Sequence, residues 1–137
     1  MKATARRIGN YQHVIEIRDH ELRADEPRDE GGDDTGPSPL ELLAASLASC
    51  TAVTMEMYAK RKGWDLGPVQ IECEYQPAER GFPTRFELVY HLPGGLPPEQ
   101  VEKLKIIAAK CPVHRTLDGE VMFSERVELG QAPAHAA

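Results

Sequence analysis

The amino-acid sequence predicts an α+β fold, with antiparallel sheets around one long buried helix. Alternating apolar and polar residues indicate strands near both ends of the chain, and a long uncharged stretch between them indicates a helix buried on most sides. The elements follow one another as strands, helix, strands, helix and strand, an order typical of α+β domains. At 137 residues the chain has room for one domain with its own core.

The first 24 residues are predicted to form a β-meander. Strands at 3–8 and 11–18 flank Gly9 and Asn10, where a glycine in the first turn position suits a type II′ hairpin. A third short strand is expected near 21–24. This sheet leads into the next segment, which has a different composition.

Residues 25–37 are predicted to be a loop. Crowded acidic residues and three glycines prevent a packed element from forming without help. The loop leads directly into the long helix and contains a single cation, Arg28. A cation at this place is a candidate for a functional role.

The long helix is predicted over residues 38–62. Ser38 is a suitable N-cap, Pro39 suits the first turn, and Glu41 stands at the capping-box position. Gly63 is suited to end the helix. Such a helix would be about 36 Å long, which is long for so small a domain. We therefore expect a partner subunit to cover part of it.

Residues 68–129 are predicted to add a β-β-α-β unit. Alternation indicates strands at 69–75 and 86–90, a helix follows from Leu96 until Pro112 interrupts it, and a last strand is expected at 121–129. The predicted single domain is therefore 1–130, followed by a disordered tail at 131–137.

Charge and composition exclude several classes of protein. A net charge of −6 argues against a nucleic-acid binder, which needs clustered cations to meet phosphates. No apolar run approaches the roughly 20 residues of a membrane span, and the start lacks the apolar core of a signal peptide. A cytoplasmic protein is expected, and in that reducing compartment a disulfide would be transient rather than structural.

The three cysteines differ in their surroundings. Cys73 lies on the apolar phase of a strand and fits a small buried side chain. Cys50 lies among core-like neighbours of the long helix, so a buried role and a reactive role both remain open. Cys111 precedes Pro112, where a new helix could begin, and the free N–H groups of a helix start favour the thiolate.

A reactive thiol requires a cation to stabilise its charge, an acidic group to orient the cation, and a second thiol to capture the oxidised sulfur. Cys50, Cys111, Arg28 and Glu41 could supply these groups. A zinc site at Cys111, His114 and Cys50 is an alternative. The absence of a close Cys-x-x-Cys pair favours His114 as a local hydrogen-bonding residue instead. An apolar pocket and an ordinary core are both open for Trp64, Met55, Met57 and Phe82.

Two segments resemble the OsmC/Ohr family. They are 36–50, Gly-Pro-Ser-Pro-Leu-Glu-Leu-Leu-Ala-Ala-Ser-Leu-Ala-Ser-Cys, and 111–117, Cys-Pro-Val-His-Arg-Thr-Leu. The resemblance implies an OsmC-like fold and an intertwined homodimer with two active sites at the subunit interface. It also implies thiol-dependent reduction of alkyl or fatty-acid hydroperoxides, with Cys50 peroxidatic and Cys111 resolving. No bound cofactor is implied, and a lipoyl-type dithiol is the expected external reductant.

The polar residues match the family less closely. Arg28 begins an Arg-x-Glu-Gly run like that of the family's active-site loop. At the helix start the family has two successive glutamates, and here Leu40 replaces the first, so only Glu41 remains. If Glu41 caps the helix, it is not available to orient Arg28. Arg23 and Arg115 are therefore alternatives to Arg28 as the cation of the site. The alternative function is a redox-responsive or apolar-ligand-binding protein with weak or no peroxidase turnover.

Overall fold

Two antiparallel sheets and three α-helices make up residues 1–130, the part of the chain that this computed structural model describes. The first sheet has the order β1 (Thr4–Gly9), β2 (Gln12–Ile17), β3 (His20–Ala24), and the second pairs β4 (Gln70–Gln76) with β5 (Arg85–His91). The helices are α1 (Pro39–Lys62), α2 (Pro98–Ala108) and α3 (Pro112–Leu117), and a 3-10 turn spans Arg28–Glu30. The predicted α+β class is confirmed. The predicted disordered tail at 131–137 lies outside the described residues.

Helix α1 begins and ends where its sequence predicts. The Ser38 hydroxyl accepts a hydrogen bond from the Glu41 backbone N–H at 3.2 Å, and the Glu41 carboxylate accepts one from the Ser38 N–H at 2.8 Å. This reciprocal pair is a capping box. Gly63 ends the helix in the left-handed conformation, with φ 70°. Local sequence therefore fixes both ends of the element that carries Cys50.

The burial of α1 differs from the prediction. Within the chain, only the stripe Leu47, Thr51, Met55 and Ala59 is fully buried, one residue per turn. By length and composition α1 could cross a membrane, contrary to our expectation, although only 28% of its most apolar stretch is buried within the chain. That test is weak evidence for a span, because core helices of soluble proteins also pass it.

The core lies between α1, α2 and the second sheet. Met55 and Leu104 have 0% of their surface exposed, and Ala59 and Ala108 have 1%. Half-buried apolar side chains surround this group: Tyr58, Trp64, Val69, Ile71, Tyr90, Leu92 and Leu96. Burial of these side chains supplies most of the hydrophobic stabilisation within the chain.

The first hairpin turns one residue later than predicted. Gly9 pairs with Gln12, so Asn10 and Tyr11 occupy the turn, and the register shifts between Arg7 and Gly9. Gly9 does not have the positive φ that a type II′ turn would require of it. The irregularity at Ile8 adds a residue to β1 and moves the turn.

The predicted last strand is not formed in the single chain. Residues 120–129 have no regular secondary structure, and Val121, Phe123, Val127 and Leu129 are exposed. A strand exists only when its backbone groups are paired with a neighbouring strand, and neither sheet of this chain pairs with the segment. The segment therefore has the apolar composition of a strand but no partner strand within the described chain.

Candidate functional site

Cys50 lies about three turns after the start of α1 and is half-buried. The interactions that act on its sulfur come from Cys111, from the backbone N–H of Val113 and from the hydroxyl of Thr54. Two of these groups belong to the α2–α3 region, far away in sequence. The packing of α3 on α1 therefore brings the two predicted cysteines together.

Cys111 is fully buried at the N-cap of α3. Its sulfur accepts a hydrogen bond from the His114 backbone N–H at 3.2 Å, and Pro112 follows at the first helical position. The predicted helix start at Pro112 is confirmed. The Thr51 hydroxyl lies 3.9 Å from the Cys111 sulfur and donates to the Leu47 carbonyl at 2.8 Å. Two successive N–H groups of α3 thus donate to the two sulfurs: that of Val113 to Cys50 and that of His114 to Cys111.

The environment of Cys50 in the single chain favours the thiol over the thiolate. Burial raises the pKa of Cys50 above 9.0, and the hydrogen bond and charge of Cys111 raise it further. The Val113 N–H and the Thr54 hydroxyl oppose this rise without overcoming it. No arginine is among the groups that shift this pKa in the described chain. A reactive thiolate at Cys50 therefore needs a cation that the single chain does not bring to it.

Glu41 caps the N-terminus of α1 and does not pair with an arginine in the described part of the chain. Hydrogen bonds from the Ser38 backbone and side chain hold the pKa of Glu41 below its usual value of 4.5. Within residues 1–130, no ion pair joins this carboxylate to a cation. Leu40, which replaces the other expected acidic group, is 52% exposed.

The loop that carries Arg28 is held together by a buried carboxylate that the sequence analysis missed. Asp25 is 1% exposed and accepts hydrogen bonds from the N–H groups of Glu26, Asp33 and Thr35 and from the Thr35 hydroxyl. Burial acts to raise the pKa of Asp25, but these hydrogen bonds outweigh it and lower the pKa below 3.8. The acidic loop is therefore an ordered unit rather than a loose connection.

Close backbone packing completes this loop. A Cβ atom at position 32 would lie 1.9 Å from the Glu26 carbonyl oxygen, so only glycine fits there. Asn10 at the hairpin turn donates to the Gly31 carbonyl at 2.9 Å and ties the loop to the first sheet. The loop and the first sheet are thus one structural unit.

Arg28 lies exposed on the 3-10 turn of this loop. In the described part of the chain it has no carboxylate within 4.0 Å, and it does not act on the pKa of Cys50. The alternative cations Arg23 and Arg115 are also exposed. The chain therefore brings Cys50 and Cys111 together but joins neither Arg28 nor Glu41 to them.

The family follows from comparison with known proteins. A family model described as OsmC-like protein matches residues 31–126, more than half of the chain. The chain belongs to the OsmC-like family. No curated protein matches it.

Solved structures of OsmC and Ohr proteins have the same fold. An organic hydroperoxide resistance protein OsmC from Legionella pneumophila is 26% identical, with a TM-score of 0.66 over 87% of this chain and 90% of that chain. An OsmC like protein from Mycoplasma pneumoniae is 18% identical, with a TM-score of 0.72 over 86% of each chain. The organic hydroperoxide resistance protein OhrB of Bacillus subtilis is 24% identical, with a TM-score of 0.60 over 86% and 90%.

Two apolar grooves flank α1 in this OsmC-like chain. The first, of about 580 Å³, lies between α1, α3 and β5, and the second, of about 500 Å³, lies between α1 and β4. Cys73 lines the second groove, and burial raises its pKa. No other cysteine acts on the Cys73 thiol in the described residues, so it has no partner for a disulfide there.

The residues predicted for an apolar pocket line neither groove. Met55 and Trp64 belong to the core, whereas Met57 and Phe82 are exposed. For the zinc alternative, no group of three metal-ligating side chains occurs within residues 1–130. The sequence analysis also missed Arg85, which lines the first groove together with His114. The only sequence signal for Arg85 was its position just before a predicted strand with one apolar face.

Proposed function

We propose that this OsmC-like protein is a thiol-dependent peroxidase that reduces organic hydroperoxides as a homodimer in the cytoplasm. The observation that carries the proposal is the contact between the Cys50 and Cys111 thiols, both of which are free. Two cysteines remote in sequence that share one site can pass an oxidation from one sulfur to the other. The family includes proteins named for organic hydroperoxide resistance, which supports the same reaction class.

The first step oxidises Cys50. Its thiolate attacks the distal oxygen of the hydroperoxide, so that a sulfur–oxygen bond forms and the oxygen–oxygen bond breaks. The alkoxide takes up the proton that Cys50 has released and leaves as the alcohol. A guanidinium beside the reacting oxygens would stabilise both the thiolate and the alkoxide.

The second step uses Cys111. Its sulfur attacks the Cys50 sulfenic acid, a disulfide forms, and water leaves. An external dithiol of the lipoyl type then donates two electrons and two protons, which returns both cysteines to thiols. In the reduced protein, the hydrogen bonds of the Val113 and His114 N–H groups hold the two sulfurs at one helix start, where this reaction begins.

The cation of the site is proposed to be Arg28 of the partner subunit. Within one chain the exposed Arg28 does not act on Cys50, and α1 has an uncovered apolar surface that a second subunit would bury. The first sheet and its loop form a unit that does not contribute to the main core. A homodimer in which this unit packs on the other α1 would supply the missing charge.

Single-cysteine variants test the reaction. With cumene hydroperoxide and dihydrolipoamide, we expect Cys50→Ser to consume no peroxide. We expect Cys111→Ser to complete one turnover and then accumulate overoxidised Cys50. Cys73→Ser is the matched control and should retain full activity, because Cys73 lies apart from the pair.

Mass spectrometry identifies the intermediate. After one equivalent of peroxide, the wild-type protein should contain a Cys50–Cys111 disulfide and free Cys73. Multiple turnover by Cys50→Ser would contradict the proposal. An absence of turnover in the wild-type protein would leave the alternative, a redox-responsive or ligand-binding role on the same fold.

A further inference from the structure

Two threonine hydroxyls of α1 flank the cysteine pair. Thr51 is fully buried, and its hydroxyl donates to the Leu47 carbonyl at 2.8 Å and lies 3.9 Å from the Cys111 sulfur. Thr54 is half-buried, and its hydroxyl donates to the Cys50 carbonyl at 2.7 Å and also acts on the Cys50 sulfur. Each of the two thiols therefore has a hydroxyl group of its own beside it.

The spacing of Cys50 and Thr54 accounts for their contact. Residues four apart on an α-helix lie on the same face, one turn from each other, so the Thr54 side chain reaches back to both the carbonyl and the sulfur of Cys50. A threonine hydroxyl has one hydrogen and two lone pairs, and its hydrogen rotates to suit its neighbours. While Cys50 is a thiol, that hydrogen points to the carbonyl oxygen.

Ionisation of Cys50 changes which acceptor is better for this hydrogen. The thiolate is negatively charged, so it accepts a hydrogen bond that is stronger than one to a neutral carbonyl. The Cys50 carbonyl is not left unpaired when the hydroxyl turns away, because within α1 it also accepts the backbone N–H of residue 54. The rotation therefore costs little and gains a charge-assisted hydrogen bond.

Few groups of the described chain favour the charged form of Cys50. Burial raises the pKa of Cys50, and Cys111, the titratable group that acts on it within residues 1–130, raises it further. The Val113 N–H and the Thr54 hydroxyl lower it. The Val113 donor belongs to the backbone, which any residue except proline would supply. Among the groups that act on Cys50 within the described chain, Thr54 is thus the side chain that stabilises the thiolate.

We propose that Thr54 stabilises the reactive thiolate of Cys50 by turning its hydroxyl hydrogen from the Cys50 carbonyl to the sulfur. The inference rests on the proposed peroxidase function and adds to it a residue that contacts the reacting atom. No electrons move in this step: the Cys50 proton passes to solvent, one hydrogen bond to the carbonyl breaks, and one to the sulfur forms. Thr54 acts from its own chain, whereas Arg28 is proposed to act from the partner subunit.

The test follows the alkylation of Cys50 by iodoacetamide in the reduced protein, from neutral to alkaline pH. Mass spectrometry of tryptic peptides separates the three cysteines, because lysines and arginines lie between them in the sequence, so every variant keeps all three. We expect Thr54→Val, which has a similar shape but no hydroxyl, to raise the pKa of Cys50. Alkylation at neutral pH should then slow by about three- to tenfold, and at the alkaline end it should be at least as fast as in the wild-type protein.

Two variants serve as controls. Thr54→Ser keeps the hydroxyl and should retain the wild-type pH profile. Thr116→Val is the matched control, because the exposed Thr116 hydroxyl donates to the Pro112 carbonyl, also four residues earlier, at 2.8 Å and does not act on Cys50. It should leave the profile unchanged. A wild-type profile in Thr54→Val would overturn the inference. An equal slowing at every pH would overturn it too, because reduced access to Cys50 would then be the cause.

Peroxide turnover separates this inference from the proposed function. With cumene hydroperoxide and dihydrolipoamide, we expect Thr54→Val to lower kcat/KM for the peroxide by about three- to tenfold at neutral pH and to approach the wild-type value as the pH rises. A shifted alkylation profile in a protein without peroxidase activity would support the role of Thr54 and contradict the proposed function. Peroxidase activity that is equal in the wild-type protein and Thr54→Val at every pH would overturn the role of Thr54 alone.

Discussion

The region formed by α1, α2 and the second sheet encloses a core of apolar side chains, whereas the N-terminal sheet leaves most of its surface uncovered. Met55 on α1 and Leu104 on α2 are wholly enclosed. In the first sheet, by contrast, Val14 and Ala24 are buried, and Leu22 is 46% exposed. The difference divides the chain into a body that holds the two cysteines and an N-terminal unit, residues 1–37, that has little core of its own.

The largest expected effect is the rescue of activity between two inactive subunits. Arg28→Gln and Cys50→Ser should each be inactive alone. If Arg28 serves the cysteine of the other subunit, a mixed dimer has one complete site. Equal mixing should then restore about a quarter of wild-type activity, because half of the dimers are mixed and each has one of two sites intact.

The measurement is peroxide consumption after the two variants have been unfolded together and refolded. The control is Arg28→Gln refolded with the double variant Arg28→Gln/Cys50→Ser, which leaves no complete site in any dimer. No recovery in the first mixture would contradict the proposal that Arg28 acts on Cys50 of the other subunit.

The next effect is on stability, and it uses the same substitution in both regions. Leu104→Ala should lower the free energy of unfolding by about 2–5 kcal/mol, because it leaves a cavity in the core. Leu22→Ala removes the same atoms from a half-exposed strand position and should cost less than about 1 kcal/mol where no subunit covers it. Chemical denaturation at several protein concentrations measures both. Equal costs at the lowest concentration would contradict the division into two regions.

The helix cap gives a smaller effect and separates two roles of Glu41. Ser38→Ala should cost about 1 kcal/mol, the usual price of a lost N-cap. Glu41→Gln retains an oxygen for the Ser38 N–H and should leave kcat/KM for cumene hydroperoxide unchanged. A large loss of kcat/KM at unchanged stability would mean that Glu41 orients the arginine after all.

The smallest effect is a pH dependence of the loop. Because the pKa of Asp25 is lower in the folded chain than its ordinary 3.8, the unfolded chain binds more protons as the pH falls. The stability that Asp25 contributes is therefore present above pH 3.8 and is lost as the pH falls through the folded value. Asp25→Asn should flatten this acid dependence, and the exposed Asp29→Asn should not. Urea unfolding between neutral and acid pH measures the slope.

Sequence reasoning succeeded where structure depends on neighbours in the chain. The capping box at Ser38 and Glu41 and the helix start at Pro112 are set within four residues, and both are confirmed. Reasoning from pattern alone failed where partners are remote. The order of the acidic loop depends on Asp25 meeting Thr35, and composition does not reveal that contact.

The candidate site divides in the same way. The family resemblance brought Cys50 and Cys111 together, and α3 does so by packing on α1. The sequence did not reveal that Arg85 lines a groove, because the groove forms between three elements that are remote in sequence. The role of Arg28 stays a prediction, because it depends on a second copy of the chain.

The sulfur of Cys111 takes part in two different interactions of the site. It accepts a hydrogen bond from the His114 amide in the first turn of α3, and it is also the thiol that would bond to Cys50. If the sulfur turns toward Cys50 to form the disulfide, we expect that amide to lose its acceptor and the six-residue helix α3 to be less stable at its start. Faster deuterium uptake at the His114 amide would then report the oxidation state of the protein without any reaction at the sulfur.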